Sequence, residues 1–225
     1  MEIEAKIELD DIYEMQALER KVASLVKKDA ETSLKQSRLI APSLYDIVER
    51  NLVFTRPNVT SNDGAFLRIR YETYVAPWYN DGGVYYNKTI LTHKDRNIGE
   101  GVNRREEDEA EIYIPNGQAF ESVLNKLGLE FFSCYAKQRK VAEFSSGVYV
   151  SLDLVAAAEK QFNYLPRRDK NGAEKLDSYS WRKFVEIEGP TEEKVLEMIK
   201  KLDLEGKPII KESYAVIFKE EGRKC

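Results

Sequence analysis

Histidine and cysteine are almost missing from this chain of 225 residues, which has one His and two Cys. Cys134 and Cys225 cannot build a disulfide framework, so a reducing compartment is expected. A single histidine and no Cys-x-x-Cys pair exclude a structural zinc centre and a Cys–His nucleophile. Glycine is sparse, and where it clusters, at Gly82-Gly83 and Gly99-Glu100-Gly101, it reads as turns. Neither a Gly-rich phosphate loop nor a Gly-x-Ser-x-Gly elbow is present. No run approaches the ~18 apolar residues of a membrane span, and no apolar leader precedes the first strand-like residues. A cytoplasmic protein without a membrane partner is the expectation. The net charge of -4 arises from 35 basic and 39 acidic residues, which gives no reason for bulk nucleic-acid binding.

What the chain has instead is charge of both signs, 33% of residues, beside a hydrophobic share of 42%. The charged share exceeds the usual quarter, so charge must occupy more than the outer surface. Its placement is informative. In Glu2-Ile3-Glu4-Ala5-Lys6-Ile7-Glu8-Leu9, the period of two puts Glu2, Glu4, Lys6 and Glu8 on one face of a strand and the apolar residues on the other. The spacing recurs at Arg68 and Arg70, at Lys137 and Arg139, and at Glu186 and Glu188. Lys88, Thr92 and Lys94 share parity, as do Arg105, Glu107, Glu109 and Glu111. That last stretch is polar in both phases, so its inward face is ambiguous. Asp153 interrupts the apolar run Val150 to Val155 from the side opposite Leu152 and Leu154. By parity, His93 points away from Lys94, toward the outside. Cys134, in an apolar-aromatic run, is a packing residue. Trp78, Tyr79, Tyr85 and Tyr86 are either a stacking surface for a base or cross-strand packing.

The pattern predicts strands over residues 2–9, 64–71, 84–94, 103–114, 130–144, 148–155 and 180–187. Residues 32–41 and 48–56 read as extended or mixed. Asp10 or Asp11 caps a helix with Ile12, Met15, Leu18, Val22 and Leu25 on one face. A short helix follows Pro115 and ends at Gly128, another starts at Pro190-Thr191, and a last one covers 212–220. Residues 158–178 read as a loop. Strands joined mostly by turns argue for an antiparallel sheet with helices outside, not a parallel α/β fold. Closing that sheet gathers the charged faces into one lumen. Such a lumen suits a polyanion bridged by a divalent metal: guanidinium forks grip phosphate oxygens, and Mg²⁺ or Mn²⁺ takes carboxylate and phosphate oxygens together. The bland alternative for each single pair is a solvated outer face.

Taken in order, these residues resemble the CYTH superfamily, the triphosphate tunnel metalloenzymes. Glu2-x-Glu4-x-Lys6 matches its N-terminal hallmark. Leu67-Arg68-Ile69-Arg70, Leu91-Thr92-His93-Lys94 and Arg105-x-Glu107-x-Glu109 match later strands. Lys137-x-Arg139, Leu152-Asp153, Glu186-x-Glu188-Gly189 and Lys211-x-Ser213-Tyr214 follow. One departure is Leu52-Val53-Phe54-Thr55-Arg56-Pro57, where a Tyr-Phe-Asp segment with its aspartate is expected.

The resemblance implies a single domain over 1–225: an α+β fold built as a closed eight-stranded antiparallel barrel, with helices packed outside. Lys6, Arg68, Arg70, Lys94, Arg105, Lys137 and Arg139 would bind substrate. Glu2, Glu4, Glu107, Glu109, Asp153, Glu186 and Glu188 would hold Mg²⁺ or Mn²⁺. Glu4, Lys6 and Lys94 would be catalytic. The expected reaction is metal-dependent hydrolysis of a small-molecule triphosphate, with an RNA 5′-triphosphate end among the candidates. A class IV adenylyl cyclase fits the same motifs, and a homodimer is left open. A non-catalytic polyphosphate sensor is disfavoured, because a pure anion binder gains nothing from so many carboxylates.

Overall fold

The structure, a computed structural model, describes residues 2–35, 43–57, 65–75, 85–95, 97–158 and 181–219. The predicted turn at 80–83 and most of the predicted loop at 158–178 lie outside these residues. The strands are β1 (Glu2–Leu9), β2 (Ser43–Thr55), β3 (Phe66–Val75), β4 (Tyr85–Lys94), β5 (Asn103–Arg105), β6 (Glu107–Glu111), β7 (Glu130–Glu143), β8 (Tyr149–Ala157) and β9 (Arg182–Glu188). The helices are α1 (Ile12–Lys35), α2 (Gly117–Lys126), α3 (Glu192–Lys201) and α4 (Tyr214–Ile217).

One antiparallel sheet runs in the order β5-β1-β9-β8-β7-β2-β3-β4-β6. Its two edge strands, β5 and β6, are separated only by Glu106, so the sheet closes on itself through the chain. The predicted single strand over 103–114 is therefore two, and the expected eight strands become nine. The break is where the chain changes partners: β5 pairs with β1, whereas β6 pairs with β4. At the break the Glu106 carbonyl still accepts a hydrogen bond from the Asp95 amide, 3.0 Å away. Strand β2 begins earlier than the pattern suggested, and α1 continues through the first part of the segment read as extended.

The apolar strand faces lie outside, as the alternation predicts, and are covered by helices. Ala5, Ile7, Val150, Leu152, Val185 and Ile187 pack under Leu18 and Val22 of α1 and Val195, Met198 and Ile199 of α3. Leu124 of α2 covers Leu52, Phe54, Ile69 and Cys134. The caps are local: Asp11 accepts from the Glu14 amide at 2.8 Å, Asn116 from Ala119 at 3.0 Å, and Thr191 from Lys194 at 3.3 Å.

The last helix differs from expectation. It is short, and it plugs one end of the barrel rather than lying on its flank. Tyr214, Ala215 and Phe218 pack against Val53, Tyr135, Val155 and Phe184, whose side chains share parity with the inward charged residues. The cause is the composition of that end, where the inward face turns apolar. Left uncovered, it would expose several large side chains, each worth about 1.5–3 kcal/mol on burial.

Candidate active site

Alternation on each strand carries its charged residues to the lumen. Lys6 of β1 stands opposite Glu186 of β9, and Glu4 stands opposite Glu188. Arg139 of β7 pairs in register with Asp153 of β8 and Ile47 of β2. Lys94 of β4 pairs with Glu107 of β6, and Thr92 with Glu109. These faces enclose a cavity of about 420 Å³. Twelve of the fourteen residues predicted for the site line it, and Asp153 does not. The Glu2 side chain lies outside the described residues. The ambiguous strand resolves in favour of Arg105, Glu107 and Glu109, with Glu106 and Asp108 exposed. His93 is exposed, on the outside as its parity implied, and Cys134 is fully buried, as its apolar-aromatic run implied.

The charges pair across strands. Arg68 donates to Glu107 at 2.9 Å, Glu109 at 3.3 Å and Thr92 at 3.2 Å. Arg70 reaches Glu109 and Glu72, each at 2.7 Å. Arg105 meets Glu4 at 3.2 Å, and Lys94 is paired with Glu107. Lys6 is almost wholly buried, 3.4 Å from Glu186 and 3.9 Å from Glu4. It donates to the Glu212 carbonyl at 3.1 Å and sits 4.4 Å above the Tyr214 ring. Arg139 grips Asp153 with two bonds of 2.7 Å and also pairs with Glu186.

Burial and these partners pull the acids apart. Burial tends to raise the Glu186 pKa, but Arg139, Lys6, Lys137 and Lys94 outweigh it and hold the group well below the usual carboxylate range. For Asp153, burial wins over Arg139 and Lys137, and its pKa is raised. Asp153 lies behind the cavity wall, fully buried, where Tyr214 donates to it at 3.0 Å. In this arrangement it anchors Arg139.

Glu49 and Tyr135 escaped the pattern reading, and Ser213 and Tyr214 entered it only through the resemblance. Glu49 of β2 is buried 3.3 Å from Lys137. Tyr135 lines the cavity two residues before Lys137. Ser213 and Tyr214 form part of the floor. The signal for Glu49 was its parity with Asn51 and Val53, but Glu49-Arg50-Asn51 is polar three times running, which hides the period. It is the inward carboxylate of the strand that lacks the expected Tyr-Phe-Asp aspartate.

Among the described residues, no three His, Cys, Asp or Glu side chains stand in a metal-holding group. The donor set nevertheless fits a hard ion that brings phosphate oxygens with it. Glu4 and Glu188 face each other across β1 and β9, and Glu107 and Glu109 sit two apart on β6. Mg²⁺ commonly takes only one or two protein carboxylates in addition to substrate phosphates.

No protein-family model matches the sequence. No curated protein matches it either. Solved structures do. The PH1819 protein of Pyrococcus horikoshii superposes with a TM-score of 0.57 at 20% identity, over 98% of this chain and 99% of that one. An adenylyl cyclase candidate from Hippeastrum with a dominant triphosphatase activity superposes with a TM-score of 0.57 at 18% identity, over 99% and 97%. The chain has a CYTH-like tunnel fold. An adenylate cyclase candidate from Vibrio parahaemolyticus shares it, with a TM-score of 0.50 at 16% identity over 96% and 97%. At these identities the likeness establishes architecture. Among the described residues, no helix is long and apolar enough to cross a membrane.

Proposed function

We propose that the chain is a metal-dependent triphosphatase that cleaves a phosphoanhydride bond of a small-molecule triphosphate held in the tunnel. The observation that carries this reading is the convergence of Lys6, Arg68, Arg70, Lys94, Arg105, Lys137 and Arg139 on one cavity that also presents Glu4, Glu107, Glu109, Glu186 and Glu188. Such density of both signs is costly to enclose unless a charged ligand uses it. The dominant triphosphatase activity of the Hippeastrum protein supports the same reading.

In this reading, Arg68 and Arg70 on β3 and Lys137 and Arg139 on β7 flank β2, and the two pairs grip successive phosphates. Glu4 and Glu188, with Glu107, Glu109, Glu186 and Glu2 as further oxygen donors, hold Mg²⁺ or Mn²⁺. The metal supplies positive charge against the phosphate oxygens when bound. Glu4 orients the attacking water, and Lys6 and Lys94 stabilise charge that develops on the transferring group and the leaving oxygen. The plug makes the cavity one-ended, so a triphosphate enters tail first and any organic part stays toward the mouth. The enzyme would work in the cytoplasm.

A second reading, conversion of ATP to cyclic AMP and pyrophosphate, draws on the Vibrio cyclase candidate of the same fold. One experiment separates the two. The protein is incubated with ATP, then with tripolyphosphate, each with Mg²⁺ or Mn²⁺. Orthophosphate is the expected product; cyclic AMP with pyrophosphate would favour the cyclase.

A further inference from the structure

Strand β2 lies between β7, which carries Lys137 and Arg139, and β3, which carries Arg68 and Arg70. Its inward face carries no cation. In register, Glu49 stands beside Lys137, and Asn51 stands beside Arg70. Glu49 is 2% exposed and does not line the cavity. Its carboxylate lies 3.3 Å from Lys137 and 3.9 Å from Arg139, and accepts from Asn51 at 3.2 Å. Arg139 has two other acids, Asp153 and Glu186. Lys137 depends more on Glu49, because its other carboxylate, Asp153, is farther away at 3.8 Å and is already forked by Arg139. The Tyr214 ring, 5.5 Å from the ammonium, limits the opposite side.

We propose that Glu49 is a positioning residue: without touching substrate, it holds Lys137 where its ammonium presents to a phosphate in the tunnel. The proposal rests on the triphosphate reading above. Lysine is a flexible point charge on a four-carbon stem, so its value to a ligand depends on what fixes it. Glu49, reached through a neighbouring strand, fixes it from behind. Asn51 in turn orients the carboxylate.

The sign of the effect separates this role from bulk electrostatics. Removing a buried negative charge makes the tunnel more positive, so charge alone predicts tighter binding of a polyanion by Glu49→Gln. Loss of positioning predicts weaker binding. The probe is imidotriphosphate, a non-hydrolysable analogue, titrated calorimetrically with and without Mg²⁺ into the full chain and its variants. Glu49→Gln should raise Kd about tenfold, within the coupling range of contacting residues. In a Lys137→Gln background the same change should cost less than about twofold, since its target is gone. Glu49→Asp keeps the charge but shortens the reach by one methylene. It should bind three- to tenfold more weakly than the parent on the same coupling grounds, and it tests the idea even where Glu49→Gln fails to fold.

Binding by Glu49→Gln at or above parental affinity overturns the proposal and leaves the triphosphate reading standing. So does parental affinity in Glu49→Asp, or a full tenfold loss persisting without Lys137. No binding by the parent chain in either condition overturns the triphosphate reading itself, and the proposal falls with it.

Discussion

Arg139 holds Asp153 in a two-pronged fork, with both bonds 2.7 Å long, and Tyr214 donates a third bond to the same carboxylate at 3.0 Å. Asp153 is fully buried, so the guanidinium is what makes its charge tolerable there. Arg139→Met should therefore destabilise the chain by about 3–5 kcal/mol, the scale of removing one partner of a buried ion pair. Adding Asp153→Asn should recover much of that loss. Urea unfolding of the two single variants and the double variant checks both statements; additive losses would contradict the pairing.

The plug is a second point of leverage. Phe218 is fully buried against Tyr135 and the inward apolar end of the barrel. Phe218→Ala should cost about 3–5 kcal/mol through the cavity it leaves. Tyr214→Phe removes only a hydroxyl, and the Asp153 oxygen it meets still accepts from Arg139, so the loss should be about 0.5–1.5 kcal/mol, one hydrogen bond. Thermal unfolding should rank Phe218→Ala as the more damaging change. Equal, small effects would mean that α4 does not seal the barrel.

Acid should unfold this protein through Glu49. Burial tends to raise its pKa, yet Lys137, Arg139, Arg70 and Arg68 bring it from 4.5 down to about 2. A depressed carboxylate contributes stability that is fully present above its unfolded pKa and is lost as pH falls through the folded value. Linkage puts the contribution at roughly 3 kcal/mol, lost between about pH 5 and pH 2. Glu186, also held low, acts in the same direction. Asp153, whose pKa is raised, works against them, since its protonated form favours the folded chain. Denaturant midpoints measured across this range should fall more steeply for the parent than for Glu49→Gln. Parallel curves would contradict the assignment.

The strands that were legible in the sequence are those whose alternation is clean. Lys6, Arg68 and Glu186 each sit between apolar neighbours, so a period of two declares which way they point. The stretch Glu49-Arg50-Asn51 has no such contrast, and the resemblance supplied no residue there. Likewise Arg104 to Glu109 is polar in both phases, and only pairing with β1 and then β4 decides its inward face. The plug was illegible for a different reason. The helix over 212–220 is expected simply among the helices outside, because a sequence does not say that one end of a barrel interior is apolar.

Two classes of site variant should separate in kinetics. Arg70→Ala removes a guanidinium and should weaken triphosphate binding about tenfold or more, seen mainly in KM. Glu4→Ala or Glu188→Ala should instead lower the metal-dependent rate by about tenfold or more, the scale of losing an interaction that acts in the transition state. Steady-state rates against substrate and Mn²⁺ concentration distinguish the two. Parental activity in both acidic variants would refute their metal role.

The central claim is tested most directly by a crystal structure of the chain with imidotriphosphate and Mn²⁺. The account predicts a phosphate chain lying in the tunnel between Arg68–Arg70 and Lys137–Arg139, with Mn²⁺ anomalous signal beside Glu4 and Glu188. Density for the ligand on the outer surface, with the tunnel side chains still paired to one another, would contradict it.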